Sequence, residues 1–292
     1  MKFKNILFTL LVALVAVLGV TVNAESTAPG SYTVRFRDLH RLSGANYFSG
    51  MNYHFYYKVN SDGKVIYCMQ RKNDVVDGTE TYYLSEELDA KYAYVMENGY
   101  PNKSLTGNND EDYYITGLAI WYLINPSDSI FANFDIANGT YRGQSNTAVQ
   151  WINKLVSGAA SYSYTDPTLK LNAESNKLHL TEDGKYYRSD AITISASGTT
   201  GDYSIKPSNA PEGTTIVNKD GSKFTKGLTF YVQVPVKSIN QLSTEFSVVV
   251  SGSGTINKAY LYTPTHSRFQ TTATIYPETC LLYTSPSPRD MR

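Results

Sequence analysis

Apolar and polar residues alternate along residues 31–39 with the period of two that marks a strand covered on one side. Residues 52–59 (Asn-Tyr-His-Phe-Tyr-Tyr-Lys-Val) and 65–70 (Val-Ile-Tyr-Cys-Met-Gln) flank a tight Asp62-Gly63 turn, which predicts a β-hairpin. A turn centred there sets Tyr57 opposite Cys68. Residues 82–84 predict a short strand, after which the period changes to that of a helix. Ser85 is the expected N-cap, with Glu86 and Glu87 in the first turn. Leu88, Tyr92, Val95 and Met96 form one face of this helix, and Gly99 with Pro101 closes it. Residues 113–124, stopped by Pro126, predict a second helix; residues 147–156, with Gly158 beyond, predict a third. From residue 178 onward the pattern is again that of strands: 191–197, 203–206, 214–217, 228–234, 246–250, 258–262 and 269–276. Turn-forming residues separate them at 198–201, 209–213, 219–221 and 251–254.

Strands, then three helices, then strands again define an α+β protein. The expected architecture is a β-barrel or sandwich scaffold with an inserted three-helix subdomain, followed by a β-sandwich half. The division falls at residues 25–175 and 176–279, the second part carrying the last strand.

The two ends are expected to lie outside the folded protein. Lys2 and Lys4, an apolar run over 6–20 and the small residues Val22-Asn23-Ala24 give residues 1–24 the form of a secretory signal peptide. Residues 280–292 (Cys-Leu-Leu-Tyr-Thr-Ser-Pro-Ser-Pro-Arg-Asp-Met-Arg) resemble a translated transposase-type sequencing adapter, so the natural reading frame is expected to leave the sequence after about Thr279. Any stalk or wall anchor would then lie downstream.

Composition narrows the function. Trimming removes four of the 26 basic residues and one of the 26 acidic ones, leaving a mildly acidic chain without a basic patch for nucleic acid. Twenty-five tyrosines against two tryptophans suit half-exposed pleated surfaces outside the cell. Cysteine and histidine are sparse and unclustered and no glycine-rich phosphate loop is present, so no metal and no cofactor is expected. The acidic run 108–112 lacks the ligand spacing of a calcium loop and is expected to be solvated. Without Cys280, Cys68 is a single thiol in a secreted chain; it is either a small buried apolar residue or a reactive group.

Three pieces, in order, resemble the thioester domain of Gram-positive surface adhesins. Tyr67-Cys68 matches the aromatic-Cys motif of that family. Thr116-Gly117-Leu118-Ala119-Ile120-Trp121 is similar to its Thr-Gln-x-Ala-Ile-Trp helix, with Gly117 where Gln is usual. Phe269-Gln270, preceded by residues 259–264 (Ala-Tyr-Leu-Tyr-Thr-Pro), resembles its closing aromatic-Gln. The resemblance implies that Cys68 and Gln270 condense with loss of ammonia into an internal thioester, and that a lysine amine of a host surface or matrix protein then takes the acyl group. Such a bond is an acyl donor with no cofactor. It must be screened from water, for which Tyr67, Trp121 and Phe269 are the candidates, with Thr116 and Ala119 as support. The implied protein is a monomeric module of a longer cell-surface protein, with no membrane insertion and no catalytic turnover.

Other readings of the same residues stand beside it. Gln150 is a rival acyl donor, and Gln70 shares a strand face with Cys68. His266, close before Gln270, is a candidate proton acceptor for thioester formation; His40, His54 and His179 are the remaining histidines an enzyme could pair with Cys68. The alternatives are a non-covalent adhesin or pilus-tip module of the same fold and, with no protease signature around Cys68, a cysteine hydrolase.

Overall fold

The computed structural model describes residues 10–12, 23–172, 176–239 and 246–284. The expected leader, residues 1–24, lies outside the described residues except for 10–12, 23 and 24, and so do residues 285–292 of the expected tail. The chain is α+β and forms two compact units. Among the described residues, one comprises 26–165 and 257–278; the other comprises those within 1–25, 166–256 and 279–292.

The first unit is built on a sheet in the order Ser31–Arg35, Thr79–Glu87, the later part of Ser247–Pro264, the earlier part of Thr272–Tyr283, Val65–Cys68, His54–Val59 and His40–Ser43. Val65–Cys68 is called the cysteine strand below, and Thr272–Tyr283 the closing strand. Three helices follow the long strand Thr79–Glu87: α1 (Ala90–Asn98), α2 (Asn109–Ile124) and α3 (Thr147–Ala159). Each starts at a side chain that satisfies otherwise orphaned amides: Asp89 accepts from Lys91 N, Asn108 from Asp110 N and Glu111 N, and Asn146 from Val149 N. The expected cap at Ser85 is not used. Residues 82–87 remain in a ladder with 260–264, and those backbone hydrogen bonds outweigh the local helix signal.

α2 is buried continuously from Asp112 to Trp121, as expected of a helix that is apolar on all sides. A Cβ at Gly117 would stand 3.0 Å from Phe55 Cε1. Phe55 is itself wedged between Tyr114 and Trp121, at ring distances of 4.7 and 4.5 Å. Gly117 thus allows α2 to close on strand His54–Val59. Alanine there gains about 1 kcal/mol of helix propensity but overpacks a ring that has nowhere to go, so Gly117→Ala is expected to destabilise the fold by about 1–3 kcal/mol. Thermal melting checks this, and Phe55→Leu in the same chain should recover part of the loss.

Asp112, in the acidic run expected to be solvated, is fully buried instead. Its carboxylate accepts from Leu105 N, Thr106 N, Thr106 Oγ1 and Ser104 Oγ at 2.7–3.1 Å, folding the α1–α2 loop back onto the helix start.

In the second unit, strands pair in the order Leu10–Val12, Asn176–Leu180, Tyr186–Ser189, Thr229–Pro235, Ile192–Ser197 and Thr168–Leu171, with Thr215–Val217 also on Thr229–Pro235. Phe230, Val232 and Val234 alternate into its core. Residues 251–254, expected as a turn, lie within the strand Ser247–Pro264. A Cβ at Gly254 would meet Gly198 O and Pro167 Cβ, both at 2.4 Å, so this glycine serves close backbone approach rather than a bend.

The expected boundary at 175/176 differs from this division. Residues 257–278, which include Gln270, belong to the unit that holds Cys68. Pairing of the closing strand with the cysteine strand draws them there. The closing strand also runs past residues 276–277, because Cys280 and Leu282 are buried while Leu281 is exposed, an alternation that extends the strand into the adapter-like residues.

Candidate functional site

The cysteine strand leaves a turn in which Asn60 Oδ1 accepts from Asp62 N and Lys64 N, with Gly63 at φ 76°. This turn sets the register Lys58 opposite Ile66 and Val59 opposite Val65. Continued along the strands, that register places Tyr56, not Tyr57, opposite Cys68. On the other side Thr272 pairs with Cys68 and Ala273 with Tyr67. Because strand side chains alternate, Lys58, Ile66 and Cys68 share one face with Thr272. The Gln270 backbone is fixed just before the closing strand: its N–H donates to Asp74 O at 3.0 Å, Met69 N donates to Thr271 O at 2.9 Å, and Asn73 Nδ2 donates to Phe269 O at 3.2 Å.

Three side chains meet on that face. Cys68 Sγ donates to Gln270 Oε1 at 2.5 Å. Lys58 Nζ donates to the same oxygen at 3.1 Å and also to Cys68 Sγ. Relative exposures are 5% for Cys68, 5% for Gln270 and 2% for Lys58, so water has little access to any of them. No carboxylate pairs with Lys58 among the described residues. Lys58 was not singled out from the sequence.

The aromatic residues hold the strand. Trp121 Nε1 donates to the Cys68 carbonyl at 2.7 Å, and Tyr53 stands edge-on to the indole. Tyr67 stacks on Tyr113 at 4.7 Å and donates to Tyr100 O at 2.6 Å. Tyr113 OH in turn meets Ile66 O and Tyr56 O. Burial holds the Tyr67 and Tyr113 phenols well above their ordinary value, so both stay neutral near neutrality. Thr116 joins α2 to the preceding loop, accepting from Tyr100 N and donating to Asp112 O, and Ala119 is buried. Phe269 precedes the closing strand in a turn and packs with Tyr32, Ile66 and Tyr82. It therefore joins the side chains on the Cys68 face, whereas strand alternation carried through from 269 places it on the other.

The remaining candidates fall elsewhere. His266 donates its N–H to buried Glu80 at 2.8 Å and its Nδ1 meets the same carboxylate at 2.9 Å; it makes no bond to Cys68. His266→Ala should accordingly leave any acyl chemistry at Cys68 unchanged, as methylamine uptake by mass spectrometry can check. Gln150 is exposed on α3 and donates to Ser145 Oγ, and Gln70 accepts from Thr271 N. His40 pairs with Asp110 and His179 with Asp190, while His54 Nδ1 is buried without a partner.

A cysteine and a carboxamide from sequence-distant segments thus meet on one buried sheet face of this unit. Residues 65–161, from the cysteine strand to just beyond α3, match the family model of the thioester domain. No curated protein matches by sequence. Among solved structures, the Bacillus anthracis TIE protein superposes with a TM-score of 0.61 at 19% identity, over 88% of this chain and 48% of that one. This chain thus spans about half of that protein. The thioester domain of the Enterococcus faecium TIE86 protein gives 0.54 at 18% identity, over 90% of this chain and 99% of that one. At such identities the likeness establishes the fold.

Proposed function

We propose that the domain is a cell-surface adhesin module that carries a Cys68–Gln270 thioester and transfers the Gln270 acyl group once to a lysine amine of a host surface or matrix protein. The observation that carries this reading is the 2.5 Å approach of Cys68 Sγ to Gln270 Oε1 in a buried site. Attack of sulfur on the carboxamide carbon expels ammonia. The resulting thioester keeps a good leaving group in place until an amine arrives. Holding the two groups on rigid neighbouring segments replaces an encounter between distant parts of the chain. Each molecule reacts once, which is attachment and not turnover.

Secretion, surface display as part of a longer protein, and a monomeric module belong to the same proposal, supported by the thioester-domain match. No helix among the described residues is long and apolar enough to cross a membrane.

Methylamine, a minimal lysine surrogate, tests the pairing. Peptide mapping after treatment should find one methylamide at Gln270 and one new thiol at Cys68. A methylamide at Gln150 would reject the pairing but keep a thioester. No methylamide, with full sequence mass, would leave the non-covalent adhesin.

A further inference from the structure

We propose that Lys58 is a catalytic residue of this site, moving the proton and stabilising the oxyanion both when the thioester closes and when it is opened by an amine; the assignment rests on the thioester reading above. Three observations carry it. Lys58 Nζ touches both reacting partners, Cys68 Sγ and Gln270 Oε1. It is 2% exposed, and a lysine that deep is costly unless its charge is compensated or its proton is used. No carboxylate pairs with it among the described residues, so sulfur and the carboxamide oxygen are the partners its amino group has.

The chemistry requires such a group. A thiol is a weak nucleophile until its proton leaves, and an amide expels its nitrogen only when that nitrogen is protonated. In closure, the Lys58 amine takes the proton from Cys68 Sγ, and the thiolate attacks Cδ of Gln270. The carbonyl electrons move to Oε1, where an Nζ–H is already aimed. As the intermediate collapses, the C–N bond breaks and Lys58 returns the proton to Nε2, which departs as ammonia. One S–C bond has formed, one C–N bond has broken, and Lys58 is unchanged. Capture repeats the scheme with the incoming amine as nucleophile: Lys58 takes its surplus proton and gives one to the departing sulfur.

A lysine beside an acyl group could instead acylate itself. Its position argues against that. A donor to a carbonyl oxygen lies towards the lone pairs near the carbonyl plane, whereas a nucleophile must arrive over the carbon. α2 adds no polar side chain at residue 117, which is glycine and faces Phe55, so Lys58 has no substitute from that position.

The test compares wild type, Lys58→Met and Lys58→Arg by intact mass over time after purification, with thermal melting as the folding control. Wild type should be closed, lighter by one ammonia. Lys58→Met should melt normally yet close, and take up methylamine, about 100-fold more slowly, the loss typical of removing one oxyanion donor. Lys58→Arg restores donors but cannot shuttle a proton and should fall between them. A folded Lys58→Met that closes as fast as wild type would overturn the assignment and leave the thioester intact. A wild-type digest containing a Lys58–Gln270 amide, with Cys68 free, would overturn it too, and needs no variant to fold. A wild type of full sequence mass with a free thiol removes the thioester itself and the role of Lys58 with it.

Discussion

Replacing Cys68 with alanine is expected to raise the mass by one ammonia beyond the change in side chain, and to abolish methylamine uptake altogether. On this account the thiol is the nucleophile that releases the nitrogen of Gln270 and later the leaving group; without it the carboxamide, unreactive towards amines at neutral pH, simply persists. The fold should survive, because Cys68 is a small buried residue and the strand is held through its backbone by Thr272 and by the Trp121 indole. Circular dichroism and melting establish that the variant is folded, and intact mass reads the chemistry. Gln270→Ala should abolish uptake equally, whereas Gln150→Ala should not change it, since Gln150 lies on the exposed side of α3 with Ser145 as its partner. Uptake that survives in Cys68→Ala would mean that the reactive bond lies elsewhere.

The largest effect on stability is expected at Asp112. Its carboxylate, itself fully buried, serves four donors from Ser104, Leu105 and Thr106, of which the Leu105 amide is buried and the other three lie at partly exposed positions. Alanine would strand these donors, two of them backbone amides. The buried Leu105 amide left unsatisfied costs about 1–3 kcal/mol and the three partly exposed bonds add about 1 kcal/mol, so a total of about 3 kcal/mol is expected, with a fall of about 10 °C in the thermal midpoint. Asp112 also ties the preceding loop to the first turns of the helix whose Trp121 holds the Cys68 carbonyl, so the chemistry should weaken as that helix loosens. Asp112→Asn, which keeps acceptor capacity, should cost less. Equal melting of Asp112→Ala and wild type would show that the loop does not depend on this carboxylate.

Much of the fold was legible because it rests on period. The helices near 113–124 and 147–156 and most of the later strands stand out as runs of 3.6 and 2.0, and the cysteine and glutamine could be paired from motifs alone. What was not legible depended on register and on long-range ladders. A turn read one residue out of register set Tyr57 opposite Cys68, which placed Lys58 on the face of Tyr67. The observed pairing of Lys58 with Ile66 turns it to the face of Cys68. A polar residue at 58 between Tyr57 and Val59 was the available signal, and it looked like an ordinary solvent-facing position. Ser85, Glu86 and Glu87 resemble a helix start, but cross-strand partners at 260 and 261 keep 86 and 87 extended. The Ser-Gly run at 251–254 looks like a turn because composition does not reveal that a neighbouring backbone passes within contact of Gly254. Asp112 looked like one more exposed acid because its donors come from the preceding loop, whose path no period reveals.

The central claim is the covalent bond between Cys68 and Gln270, and the most direct test is the intact mass of the mature wild-type protein together with its thiol content after unfolding in the presence of an alkylating reagent. The account predicts a mass one ammonia below that of the sequence and no alkylation of Cys68 until methylamine has opened the bond. A full sequence mass with Cys68 alkylated as soon as the chain unfolds would contradict it.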